Sequence, residues 1–151
     1  MPSLQKKDFA SPDDTRKPDK AVVEVVKLGE VTAARMTIQP GWKWSECIKP
    51  VVGTESCQAR HVGVLHSGRM KVVHDDGSEI EVGPGEAYIF EPGHDGWVIG
   101  DEHCVAYEFE SSTAATYAKP SNLLMKPGCQ PRFTFPVFFI EKSSAYCRNS
   151  L

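Results

Sequence analysis

From Ala21 onward, apolar and polar positions alternate in short runs that are broken by turn residues. The runs Val22–Lys27, Val31–Ile38, Ala59–Leu65, Met70–His74, Glu79–Val82, Ala87–Phe90, Trp97–Ile99 and Val105–Phe109 each read as a strand. No stretch keeps a helical period long enough to predict a helix. Asp75-Asp76-Gly77-Ser78 is a hairpin signal, because Asp and Gly accept the positive φ of tight primed turns. Gly83-Pro84-Gly85 and Pro92-Gly93 mark further corners. Many short strands with Gly and Pro between them predict an all-β sandwich or barrel, and no internal repeat is visible.

The flanks differ from this centre. Residues 1–20 are rich in Lys, Asp and Pro and nearly devoid of apolar side chains, which predicts a flexible leader or a strand-capping arm. Beyond Lys119-Pro120 come Pro127-Gly128-Cys129, Pro131 and the aromatic run Phe133–Ile140. Three forms are open for this stretch: a strand over the barrel, a self-association surface, or a loosely packed extension. The expected partition is a leader over 1–20, a barrel over 21–119 and a C-terminal extension over 120–151.

A chain of 151 residues is the size of one domain. Its 17 Lys and Arg stand against 20 Asp and Glu, a net charge of -3 without blocks of like charge, so nucleic acid is not an expected partner. The N-terminal stretch lacks the apolar core of a secretory signal, and no segment reaches the roughly 18 apolar residues of a membrane span. A cytoplasmic protein without membrane attachment is therefore expected. Five cysteines without CxxC spacing predict reduced thiols rather than a disulfide framework.

Two stretches carry a family resemblance. Glu55-Ser56-Cys57-Gln58-Ala59-Arg60-His61-Val62-Gly63-Val64-Leu65-His66-Ser67-Gly68 resembles the first motif of the cupins, G-x5-H-x-H-x3,4-E-x6-G, in the register fixed by Gly68. His61 then falls at the motif's glutamate, and Glu55 and Cys57 fall at its two histidines. Gly85-Glu86-Ala87-Tyr88-Ile89-Phe90-Glu91-Pro92-Gly93-His94-Asp95-Gly96-Trp97 resembles the second motif, G-x5-P-x-G-x2-H-x3-N, with Gly96 at the histidine position and a histidine two residues earlier at His94. The resemblance covers about Val31 to Glu110 and implies a cupin barrel of the jelly-roll kind. Small cupins pair through barrel edges, which implies a homodimer.

Strand geometry bears on the same residues, because side chains alternate faces with a period of two. If the segment stays extended, Glu55, Cys57 and His61 point to one side and His94 approaches from the Pro92-Gly93 corner. Together they offer the O, S and N ligands of a divalent metal with an open position for water or substrate. Zinc or iron fits that set best. Against this, Cys57 alone reads as a small buried hydrophobe, Glu55 as a solvated acid, His61 as a satisfied core histidine and His94 as a turn residue. His66, of opposite parity, faces outward, and His74 and His103 read as structural or surface residues. Trp42, Trp44, Tyr88, Phe90, Trp97 and Tyr107 supply core or ligand-stacking bulk, and Lys43 and Arg60 are candidates to hold an anionic substrate.

Three function classes follow. One is a metal-dependent enzyme acting on a small polar molecule, with Glu55, Cys57, His61 and His94 as ligands. The second is a metal-free module that binds or senses a small molecule. The third is a metal-free acid–base enzyme with His61 or His94 as the proton-transfer group.

Overall fold

The computed structural model describes residues 3–109. In chain order it contains β1 (Asp14–Arg16), β2 (Ala21–Leu28), β3 (Val31–Ile38), α1 (Trp44–Cys47), α2 (Lys49–Val52), β4 (His61–Ser67), β5 (Met70–His74), β6 (Glu79–Val82), β7 (Ala87–Phe90), β8 (His94–Val98) and β9 (Cys104–Glu108). The strands form a six-stranded sheet in the order β1-β2-β3-β9-β4-β7 and a three-stranded sheet in the order β6-β5-β8, with antiparallel pairing throughout. This is the all-β architecture that the alternating runs predict.

The strands expected over 31–38, 70–74, 79–82 and 87–90 have those bounds. Two others shift. The strand expected from Ala59 starts at His61, because the backbone bends at Ala59. The strand expected from Trp97 already begins at His94, since Asp95 and Gly96 pair with Val73 and Val72 of β5 despite their weak β propensity. Within the leader, Asp14–Arg16 pairs with Val25, Glu24 and Val23 of β2, and Phe9 packs against Tyr107 with the rings 5.5 Å apart. The stretch 120–151, with its aromatic run, lies outside the described residues.

Alternation places one face of each strand inside. Ala21, Val23 and Val25 of β2, Leu65 of β4, Cys104 and Ala106 of β9, Met70 and Val72 of β5, and Val98 of β8 are buried, and the two sheets share a single apolar cluster. His61, His94 and Glu108 occupy inward positions of the same strands. The corner from β4 to β5 turns at Gly68, whose φ of 76° and whose would-be Cβ, 2.6 Å from the His103 carbonyl oxygen, both require glycine.

Leu65 is fully enclosed, at 0% exposure. Leu65→Ala is expected to lower the unfolding free energy by about 2–5 kcal/mol. Urea unfolding should show this as a lower midpoint with an unchanged slope.

Candidate metal centre

Three chain segments bring the candidate groups together. His61 opens β4 and faces Phe90 of β7 in register. His94 opens β8 opposite His74 of β5. Cys57 lies outside any strand, yet its backbone is tied to the start of β8: its N–H donates to the His94 carbonyl at 2.7 Å, and its carbonyl accepts from Gly93 N–H at 2.7 Å. Cys57, His61 and His94 are all buried, and one donor atom from each lies within 4.8 Å of the others.

Sγ of Cys57 is 3.4 Å from Nε2 of His61. In a tetrahedral zinc site with bond lengths of about 2.3 Å to sulfur and 2.0–2.1 Å to nitrogen, those two atoms are about 3.6 Å apart. The rear nitrogens of both rings are committed. Nδ1 of His61 donates to the Glu108 carboxylate at 2.9 Å, and Nδ1 of His94 donates to the Glu91 backbone carbonyl at 2.6 Å. A carboxylate and a carbonyl only accept, so each ring carries a proton on Nδ1, and Nε2 is the nitrogen that would ligate a metal once free of its own proton.

Glu108 is the residue that motif reasoning misses. It is 1% exposed and also accepts from Tyr88 O–H at 2.8 Å. Gly63 creates the room: it pairs with Tyr88 on one side and Glu108 on the other, and a Cβ there would come within 2.9 Å of Glu108 Cγ and 3.0 Å of the Tyr88 hydroxyl. The sequence does hold a signal, because Glu108 shares parity with Cys104 and Ala106 and is an acid on the inward face of an otherwise apolar strand.

Glu55 does not join the cluster. The chain bends at Glu55 and Ser56, so extended-strand parity fails there, and the 94% exposed side chain pairs with Lys49 at 2.6 Å, at the start of α2. The expectation that Glu55 is a metal ligand is corrected accordingly. Arg60 pairs with Glu91 at 3.2 Å, and Lys43 lies over the Trp97 ring and 4.0 Å from Asp95. His66 and His103 are exposed, and His74 donates from Nε2 to the Pro92 carbonyl at 2.9 Å.

The cluster's electrostatics set Cys57 apart from the other buried thiols. Burial pushes Cys104 up to about 11. Burial acts on Cys57 in the same sense, but hydrogen bonds from His61 and His94 bring it down to about 6. Burial likewise opposes charge on His61, yet the Glu108 carboxylate and the Cys57 sulfur carry it up to about 10. Without an ion, the two groups therefore form a thiolate–imidazolium pair backed by a carboxylate.

The cluster opens on an inner cavity of about 40 Å³, whose lining includes Trp42, Trp44, Phe90, Gly96, His61, His94 and Glu108. Beyond it, a groove of about 400 Å³ shares Val72, Phe90 and His94 with the cavity and continues along His74, Asp76, Ser78, Glu79, Ile80, Ile89 and Glu91. The Trp42 indole N–H is buried without an acceptor among the described residues, a situation that costs on the order of 1–3 kcal/mol.

No protein-family model matches the chain, and no curated protein matches it in sequence. Its structure is similar to that of a protein of unknown function from Rhizobium leguminosarum bv. viciae, with TM-score 0.53 and 21% identity over 71% of this chain and 95% of that one. It is also similar to a cupin-superfamily sugar phosphate isomerase from Silicibacter pomeroyi, with TM-score 0.50 and 18% identity over 70% of this chain and 74% of that one. A third likeness is to the oxalate decarboxylase of Lactobacillus farciminis, with TM-score 0.51 and 14% identity over 74% of this chain and 35% of that one.

In metal-free protein the thiolate ultraviolet absorbance is expected to titrate with a midpoint at about 6 and to be lost in Cys57→Ser. The folded value lies below the ordinary 9.0, so the thiolate's contribution to stability is present above pH 9.0 and is lost as the pH falls through about 6. Urea unfolding of both proteins across that window should show the wild type gaining on the variant as pH rises. Two antiparallel sheets around one core, the glycine corners of both motifs and these backbone likenesses agree: the chain has the cupin fold.

Proposed function

We propose that this cupin is a metal-dependent enzyme acting on a small polar molecule, with Cys57, His61 and His94 as its metal ligands. The carrying observation is the convergence of three buried donors in which both imidazoles are held from behind by an acceptor at Nδ1. Such hydrogen bonds at Nδ1 fix the tautomer and the direction of ligating histidines in metal sites. A single thiolate and two imidazoles suit zinc, and the carboxylate that an iron site of the two-histidine type would use sits behind His61 instead of beside it. Zinc is therefore preferred to iron.

The residues divide the work. His61, His94 and Cys57 hold the ion, Glu108 orients His61, and Tyr88 and Gly63 keep Glu108 in place. The ion supplies Lewis acidity to a substrate oxygen or lowers the pKa of a bound water. The outer groove has the volume of a small-molecule site.

The thiolate–imidazolium pair favours a second reading, metal-free acid–base catalysis in which His61 or His94 transfers the proton. A metal-free binding or sensing module uses the same cavity without either chemistry. The proposal includes a cytoplasmic setting, in keeping with the buried free thiols Cys47, Cys57 and Cys104, and a homodimer.

Elemental analysis of purified protein incubated with Zn²⁺ is expected to give about one metal per chain, the single site that the donor count allows. Cys57→Ser and His94→Ala should each abolish that stoichiometry, and Glu108→Gln should weaken zinc affinity by about 10–100-fold. Zinc at 100 times its Kd should raise unfolding free energy by about 2.7 kcal/mol. Protein that stays metal-free after loading, with activity or ligand binding intact, overturns the metal reading in favour of the other two.

A further inference from the structure

We infer that the indole N–H of Trp42 is the hydrogen-bond donor that recognises the ligand of the inner cavity, and that this ligand enters with a small oxygen acceptor at its head, a carboxylate or a carbonyl. The inference deepens the proposed function and rests on it for the ion, but not for the donor.

Trp42 is 6% exposed, and its Nε1 finds no acceptor among the described residues. Buried indole N–H groups ordinarily have a partner, so an orphaned one that borders a cavity points to a group that occupies the cavity. The ring borders two gaps. One, of about 10 Å³, is otherwise lined by the apolar side chains Pro18, Ala21, Val23, Met36, Ile38 and Ile48, which offer a water no side-chain partner besides the indole. The other is the inner cavity with His61, His94 and Glu108 in its wall.

Size and placement then define the ligand. About 40 Å³ corresponds to roughly three water-sized volumes, which fits the head of a molecule but not its body. Val72, Phe90 and His94 are common to the cavity and the groove of about 400 Å³, so the body extends outward past His94. The donor is fixed in advance. The Trp42 backbone N–H donates to the Gln39 carbonyl at 3.2 Å, its carbonyl accepts from Val98 N–H at 3.1 Å, and the neighbouring Lys43 bridges to Trp97 of β8. Trp42 is thus tied to the strand that carries His94, and the donor and that candidate ligand are held by the same strand. Such preorganisation makes a single hydrogen bond effective in recognition.

Formate and formamide are suitable probes, because both have three heavy atoms and an acceptor oxygen and they differ in charge. Each is titrated into zinc-loaded and into metal-free protein, wild type and Trp42→Phe, and followed by calorimetry. At least one probe should bind the wild type, and Trp42→Phe should weaken it about tenfold, the loss expected for a buried hydrogen bond, while zinc stoichiometry stays unchanged. Preference between the probes tells a carboxylate head from a carbonyl head.

A second readout needs no variant fold. In ¹⁵N-labelled wild type, which has 3 Trp, one indole N–H resonance should move downfield on titration, and it should be the one missing from Trp42→Phe. Equal affinity in wild type and variant, no binding of either probe in any form, or an unmoved Trp42 resonance overturns the inference. Failure of zinc to bind overturns the metal reading alone, and the metal-free titration then decides the role of Trp42.

Discussion

The hydrogen bond between Glu108 and His61 is where the fold and the site meet. A carboxylate at 1% exposure inside a β-barrel is costly unless its lone pairs are matched, since a buried unpaired charge destabilises strongly. Here Nδ1 of His61 and the Tyr88 hydroxyl meet that need at 2.9 and 2.8 Å. The same bond sets the tautomer of His61 and turns Nε2 towards Cys57. An apolar residue at 108 would suit the packing of β9 and would leave His61 without a fixed direction. Glu108 is thus explained by the chemistry of the cluster rather than by the needs of the core.

Rigid elements hold the cluster. His61 and Glu108 stand on strands of the six-stranded sheet, His94 stands on the three-stranded sheet, and Cys57 is clamped by three backbone hydrogen bonds to Gly93 and His94 at the start of β8. Donors that belong to both sheets stay in register only while the sheets remain packed on one core. The barrel interior supplies that packing, and it also supplies the low dielectric in which the thiolate, the imidazoles and the carboxylate influence one another.

Much of the barrel could be read from the chain, because alternation and turn chemistry are local properties. The hairpin at Asp75–Ser78, the corner at Gly68 and the strands β3, β5, β6 and β7 follow from neighbouring residues alone. The cluster is legible in part. Cys57 and His61 fall in the motif register, whereas His94 lies two residues before the register position and keeps the inward face because a shift of two preserves parity. Gly96, left at the usual ligand position, helps to line the inner cavity instead. Glu55 misled because parity was carried across a bend, and bends depend on contacts such as Cys57 with His94 that lie far apart in sequence. Glu108 escaped because it lies outside both motifs, 47 positions from the histidine it orients.

The Cys57–His61 spacing without an ion and the spacing that a shared ion would need are nearly the same, and this bears on the stability of the cluster. A cluster of three like ligands would gain nothing from coming together in the absence of metal. A thiol beside an imidazole does gain, because a proton moves from sulfur to nitrogen and the resulting charges attract at 3.4 Å, close to the roughly 3.6 Å that a shared zinc ion requires. Glu108 strengthens that attraction by favouring the charged imidazole. The metal-free pair therefore holds its two donors near the spacing that a shared ion would need, so an ion bound there would cost little rearrangement. Cysteine at position 57 thus has a physical consequence of its own: beside His61 it draws the two side chains together by their charges with no ion between them.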